Sequence, residues 1–315
     1  MIFPHLETSA FVAYVADNSA NGIHRAGYNG LAALIPRHSG NNLFVPSFAG
    51  LNYETISLPG LVPYMQACGA KFEPRAEPMF IESADAESVV LVQPETSHAH
   101  VSARITFTVE EPQYIHQKIE LIFHQRFCPD DEPNRFSSLW ASYMHMPPDR
   151  HIYLRPNLED GADLDNWYGN TKTAHGSPLM QVTTLPDGME ISAADHLKAM
   201  TDRPTLSADE LTALPEVEWN PSAMPKSLNG PLTFYYGLCH DQIVLMMFKQ
   251  PERFRLAYSP TGGGTEPAWN PAWDYVLALD DAPLNETCQW DLCLVTKPFV
   301  GRADVLEEVR GYGST

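Results

Sequence analysis

Apolar and polar residues alternate cleanly over 101–109. Val101, Ala103, Ile105, Phe107 and Val109 fall on one face, and Ser102, Arg104, Thr106 and Thr108 on the other. A period of two with one apolar face predicts a half-buried antiparallel strand. Runs rich in β-branched and aromatic residues, bounded by Pro, Gly, Asn or Asp, predict further strands at 89–93, 115–123, 139–144, 152–154, 232–236, 243–248, 254–258, 275–279 and 290–295. Helical patterns are few and short. They cover 192–200 and 207–214, each opening on a serine cap (the second with the capping box Ser207-Ala-Asp-Glu210), and 302–310 near the end. Helices do not alternate with strands, which argues against a doubly wound sheet. The pattern predicts a mainly all-β chain: a large antiparallel β-sandwich with a few short helices in an insertion and at the C-terminus. Residues 155–231 differ, being rich in Pro, Asp and Asn with few strand runs. They read as a long loop and helix insertion covering one face of a single domain spanning 1–315.

Charge narrows the partners. The chain carries 39 acidic against 20 basic residues, a net −19 spread along its length. This argues against binding nucleic acid or an anionic membrane through charge. No apolar run reaches the ~18 residues of a membrane span. The N-terminus lacks the basic and long apolar regions of a secretion signal. The expectation is a cytoplasmic protein, or a periplasmic or secreted one whose signal has been removed. Five cysteines, odd in number and without metal-ligand spacing, read as buried thiols.

Candidate chemistry concentrates first in residues 22–54. His24, Arg25, Tyr28 and Asn29 lie among glycines, and Asn29-Gly30 is a strong turn signal. Asn52 and Glu54 follow, two apart and so on one face if extended. The same pattern also fits a hairpin whose polar residues only satisfy turns. Twelve histidines are the other hint, because imidazole suits both acid/base work and metal binding near neutral pH. His145 ends an apolar strand and shares its face with Tyr143. His240 lies at a turn between two strong strands, and His175 in the insertion. His98 and His100 sit two apart without a third ligand nearby and read as surface. Glu73 and Arg75 read as same-face neighbours that could be a salt bridge and nothing more. Trp269 and Trp273, beside Asp274, suit stacking on a sugar ring or packing in the core. The run 262–264 of three glycines has neither dinucleotide-fold nor Walker spacing, and no serine-hydrolase elbow is visible.

Three blocks resemble a little-characterised group of bacterial proteins. They are His24-Arg25-Ala-Gly-Tyr-Asn-Gly30, Phe44-Val-Pro-Ser-Phe-Ala-Gly-Leu-Asn52-Tyr-Glu54 and Leu139-Trp-Ala-Ser-Tyr143-Met-His145. Ser259-Pro-Thr-Gly-Gly-Gly264 and Asn270-Pro-Ala-Trp273-Asp274 fit the same group. That group is similar to the galactose-mutarotase-like supersandwich of carbohydrate-active proteins. The resemblance implies a concave sheet face that holds a saccharide, where a histidine and a carboxylate act as acid and base. No block matches the usual His-rich strand of mutarotases.

Together these readings lean towards an enzyme acting on a saccharide, an epimerase or a β-eliminating lyase on a uronate or keto-sugar. His145, Glu54, His24 and His240 would be catalytic. Arg25, Tyr28, Asn29, Asn52, Arg75, Tyr143, His175, Trp269 and Trp273 would bind substrate. One alternative is a hydrolase or lyase with a divalent metal ion held by three of His24, Glu54, His145, His175 and His240. The other is a non-catalytic glycan-binding module. The oligomeric state is not legible.

Overall fold

A computed structural model describes residues 3–18, 29–45, 50–58, 70–154, 167–172, 180–185, 232–259 and 270–313. Its strands form two antiparallel sheets. The seven-stranded sheet begins β1 (His5–Glu7), β2 (Phe11–Ala16), β3 (Gly30–Pro36), β4 (Leu51–Ser57). It continues β9 (Phe136–Ser142), β16 (Ala272–Leu279), β15 (Phe254–Ser259). The ten-stranded sheet begins β12 (Met180–Leu185), β11 (Trp167–Lys172), β10 (Ile152–Leu154), β13 (Phe234–Cys239), β14 (Gln242–Phe248). It continues β17 (Thr287–Pro298), β8 (Tyr114–Phe123), β7 (Val101–Glu110), β6 (Ser88–Gln93), β5 (Phe80–Ala84). The fold is therefore the all-β sandwich that the alternation predicts.

The main core lies between the sheets. Ile105, Phe107, Ile115 and Ile119 enter it from the ten-stranded sheet, and Tyr53, Trp140 and Tyr275 from the other. Tyr53 stacks on Trp140 at 5.1 Å and Trp140 on Tyr275 at 6.1 Å, so the aromatic rings tie β4, β9 and β16 together. A second cluster, including Tyr153, Tyr236, Leu245 and Val305, forms on the far face of the ten-stranded sheet. Its helical side is the C-terminal helix Arg302–Gly313, three residues longer than the 302–310 predicted. No helix among the described residues is long and apolar enough to cross a membrane.

Two differences from the sequence reading concern strands. β1 to β5 all precede residue 89, where the first of the predicted strands begins, yet they form one edge of each sheet. β11 and β12 lie within 155–231 and extend the ten-stranded sheet beyond β10. Composition averaged over the whole insertion hides β12, whose Met180-Gln-Val-Thr-Thr-Leu185 is locally strand-like. The helices expected at 192–200 and 207–214 lie outside the described residues.

Candidate active site

The candidate site begins with a phase slip in β4. Leu51, Tyr53 and Ile56 all enter the main core. In a regular strand Tyr53 and Ile56, three apart, would face opposite sides. The register with β9 shifts between Tyr53 and Thr55, which oppose Trp140 and Leu139, so Glu54 is the extra residue of a β-bulge. A bulge frees one residue from the ladder and re-aims its side chain. Here it puts a carboxylate beside a buried cation.

That cation is Arg75, whose side chain is 2% exposed against 12% for Glu54. Its Nη2 donates to Glu54 Oε1, and its guanidinium lies 4.8 Å from the centre of the Phe72 ring. Arg75 sits on a four-residue helix, Glu73–Ala76, too short to be stable alone. Buried amides hold it in place. Asn18 Nδ2 donates to the carbonyls of Arg75 (3.1 Å) and Glu77 (2.9 Å). Gln93 Nε2 donates to those of Pro74 (3.0 Å) and Glu77 (3.1 Å). Asn29 Nδ2 donates to Tyr53 O at 2.6 Å and Pro74 O at 3.0 Å. It thereby stitches together the residues immediately before Glu54 and Arg75. The expected Glu73–Arg75 pair does not form. Glu73 instead accepts from the backbone N–H groups of His98 (2.6 Å) and Ala99 (2.9 Å) and anchors that turn.

Tyr143 completes the network, its Oη donating to Glu54 Oε1 at 3.0 Å. Its backbone is pinned between segments, with N–H to Gly50 O at 2.7 Å and a bridge to Ala272. Burial, and secondarily the Glu54 charge, push the Tyr143 pKa far above the ordinary phenol value. The phenol is therefore a hydrogen-bond donor throughout the physiological range. Asp274 lies two strands from Asn52, on the same outer face of the seven-stranded sheet. Its neighbours Trp273 and Tyr275 both turn into the core. Asp274 Oδ1 accepts from Ser142 N–H at 2.9 Å, and its charge is felt at Tyr143. The sequence reading marked Asp274 only as a neighbour of the tryptophans. Its place one residue after a buried Trp was the available signal.

The other expected residues divide. His145 is half-buried two residues beyond Tyr143, with its N–H on Leu43 O at 2.9 Å. Met144 between them enters the core, so extended geometry puts His145 on the face of Tyr143. His240 occupies a left-handed turn position (φ 59°) between Cys239 and Gln242, in the other sheet. Asn29 and Asn52 are fully buried. The Asn52 amide lies 3.5 Å from Ala141 O. Trp273 is a core residue with no exposed face for a sugar. Its ring lies where a Cβ on Gly237 would stand, and its Nε1 donates to Arg150 O at 3.3 Å. His24, Arg25, Tyr28, His175 and Trp269 lie outside the described residues. Among the described residues no three of His, Cys, Asp and Glu gather as metal ligands.

One buried polar cluster escaped the sequence reading. Beside β10, Asp149 accepts from His151 Nδ1 at 2.9 Å and from Tyr153 Oη at 2.7 Å. The spacing Asp149-x-His151-x-Tyr153, all on one face of an extended segment, was the legible signal.

No protein-family model matches the sequence, and no curated protein does. Among solved structures, a provisionally assigned aldose 1-epimerase of Escherichia coli K12 superposes with a TM-score of 0.51 at 9% identity. The match covers 95% of this chain and 99% of that one. The two chains share a fold. A GalM/aldose epimerase homologue from C. elegans matches over 94% of this chain and 99% of its own, at 8% identity and a TM-score of 0.46. Heparan sulfate lyase HepC of Pedobacter heparinus gives a TM-score of 0.39 at 5% identity, over 93% of this chain and 36% of the lyase.

Proposed function

We propose that the protein is a carbohydrate-active enzyme that interconverts the anomers of an aldose by acid/base catalysis on the outer face of the seven-stranded sheet. The observation that carries this reading is the Glu54 carboxylate, lifted out of β4 by a bulge and fixed by Arg75 and Tyr143. A base held by two donors keeps its geometry while a proton moves. Glu54 takes the proton of the anomeric hydroxyl, and His145 delivers one to the ring oxygen as the C1–O5 bond breaks. Closure on the other face returns both protons, so none is gained or lost. Arg75 and Tyr143 act as positioning residues. The fold shared with the E. coli protein supports the same reaction class. Arg75 is committed to Glu54 and nearly inaccessible, so the uronate reading loses its described cation and a neutral aldose fits better.

The test is anomer exchange measured by NMR for a panel of aldoses, with wild type, Glu54→Gln and His145→Gln compared. Acceleration above the spontaneous rate, cut about 100-fold or more in each variant, is the expected result. His145→Gln leaves the buried ion pair untouched and so separates chemistry from folding. Wild-type protein that accelerates no aldose would end this reading.

A further inference from the structure

The outer face of the ten-stranded sheet carries a cavity of about 380 Å³ between the strands and the end of the C-terminal helix. Its floor follows from register. Ile105, Phe107, Ile115 and Ile119 point into the core, so Thr106, Thr108, His116 and Lys118 point outward. Thr106 pairs with Lys118 and Lys118 with Asp291, making one polar row across β7, β8 and β17, and Thr108 pairs with His116. Lys249 and Tyr312 form the wall. Lys249 Nζ donates to Tyr312 O at 2.9 Å and stands 4.5 Å from the centre of the Tyr312 ring.

Two of the cations in this groove already face acids. Lys118 pairs with Glu120 at 2.9 Å and faces Asp291 across the strands, and His116 pairs with Glu110 at 2.9 Å. An apolar occupant would strip water from Lys118, Lys249 and Asp291 without replacing its hydrogen bonds. An anion would meet Glu120 and Asp291 at Lys118 and Glu110 at His116. A neutral ligand with many hydroxyls loses to neither, because each hydroxyl both donates and accepts. The volume lies at the lower end of ordinary small-ligand sites.

We infer that this groove binds a neutral saccharide, at a site separate from Glu54 and on the opposite sheet. The inference does not rest on the proposed reaction. It is tested by amide NMR titration of the full chain with maltose, cellobiose and lactose, and with methyl glucuronide as the charged control. The expected result is that at least one neutral disaccharide shifts amides at 106–108, 116–118 and 291. The double variant Thr106→Val/Lys118→Met should bind it about tenfold more weakly with an otherwise unchanged spectrum. Preferential binding of the glucuronide overturns the charge-balance argument. Shifts confined to the surroundings of Glu54 and Tyr143, or no shifts at millimolar sugar, overturn the site.

Discussion

At the scale of the residue, Glu54 and Arg75 form an ion pair in a place that water barely reaches. Removing one member of such a pair strands the other charge and costs about 3–5 kcal/mol, whereas replacing both with apolar groups is often close to neutral. Glu54→Leu should therefore unfold at markedly lower urea than wild type. Adding Arg75→Met to that variant should restore most of the loss, with the midpoint read by circular dichroism. Equal instability of the single and double variants would mean that the guanidinium is satisfied by Phe72 and solvent rather than by Glu54. The sequence singled out Glu54 because Asn52, two residues before it, would share its face in an extended run. It also named Tyr143 and Arg75 as substrate-binding candidates, and both contact Glu54. Which cation meets which carboxylate was not legible. Glu73 is nearer to Arg75 along the chain, but that position points it at the backbone of the 98–99 turn.

At the scale of the element, the 70–77 segment is held by side chains from elsewhere in the chain rather than by its own helix. Asn29 matters most because one amide bridges the bulge in β4 and the helix that carries Arg75. Asn29→Ala should cost about 2 kcal/mol, from two hydrogen bonds lost in a buried setting. It should also speed hydrogen exchange at the Glu77 amide, which closes the short helix on Glu73 O at 2.8 Å. Unchanged exchange there would show that Asn18 and Gln93 suffice. In sequence Asn29 looked like a ligand-facing turn residue beside Gly30. Gly30 explains the difference. A Cβ there would stand 1.9 Å from Leu51 O, so β3 and β4 run in unusually close approach and draw Asn29 into the interior. Alternation revealed strands such as β7 and β8 because their two faces meet different surroundings. It gave nothing for the bulge, which exists only in the register between β4 and β9.

At the scale of the whole molecule, the sandwich keeps many phenols away from water, on both sides of the core. Burial is the main cause raising the pKa of Tyr53, Tyr143, Tyr235, Tyr236 and Tyr275 above the ordinary 10.0. The consequence for stability has a definite sign. Above pH 10 the unfolded chain releases these protons while the folded chain keeps them, so the folded state binds more protons and loses stability as pH rises. Below pH 10 both states hold them and the effect vanishes. Each such tyrosine steepens the fall by about 1.4 kcal/mol per pH unit, so several acting together should unfold the protein within a narrow alkaline range. Urea midpoints measured at rising pH should stay level up to about pH 10 and then drop steeply. Tyrosinate absorbance from the buried group should appear only as the circular dichroism signal is lost. Ionisation of these phenols ahead of unfolding would mean that water reaches the Trp140–Tyr275 core or the face of Tyr143. The rigid setting proposed for Glu54 would then fall with it.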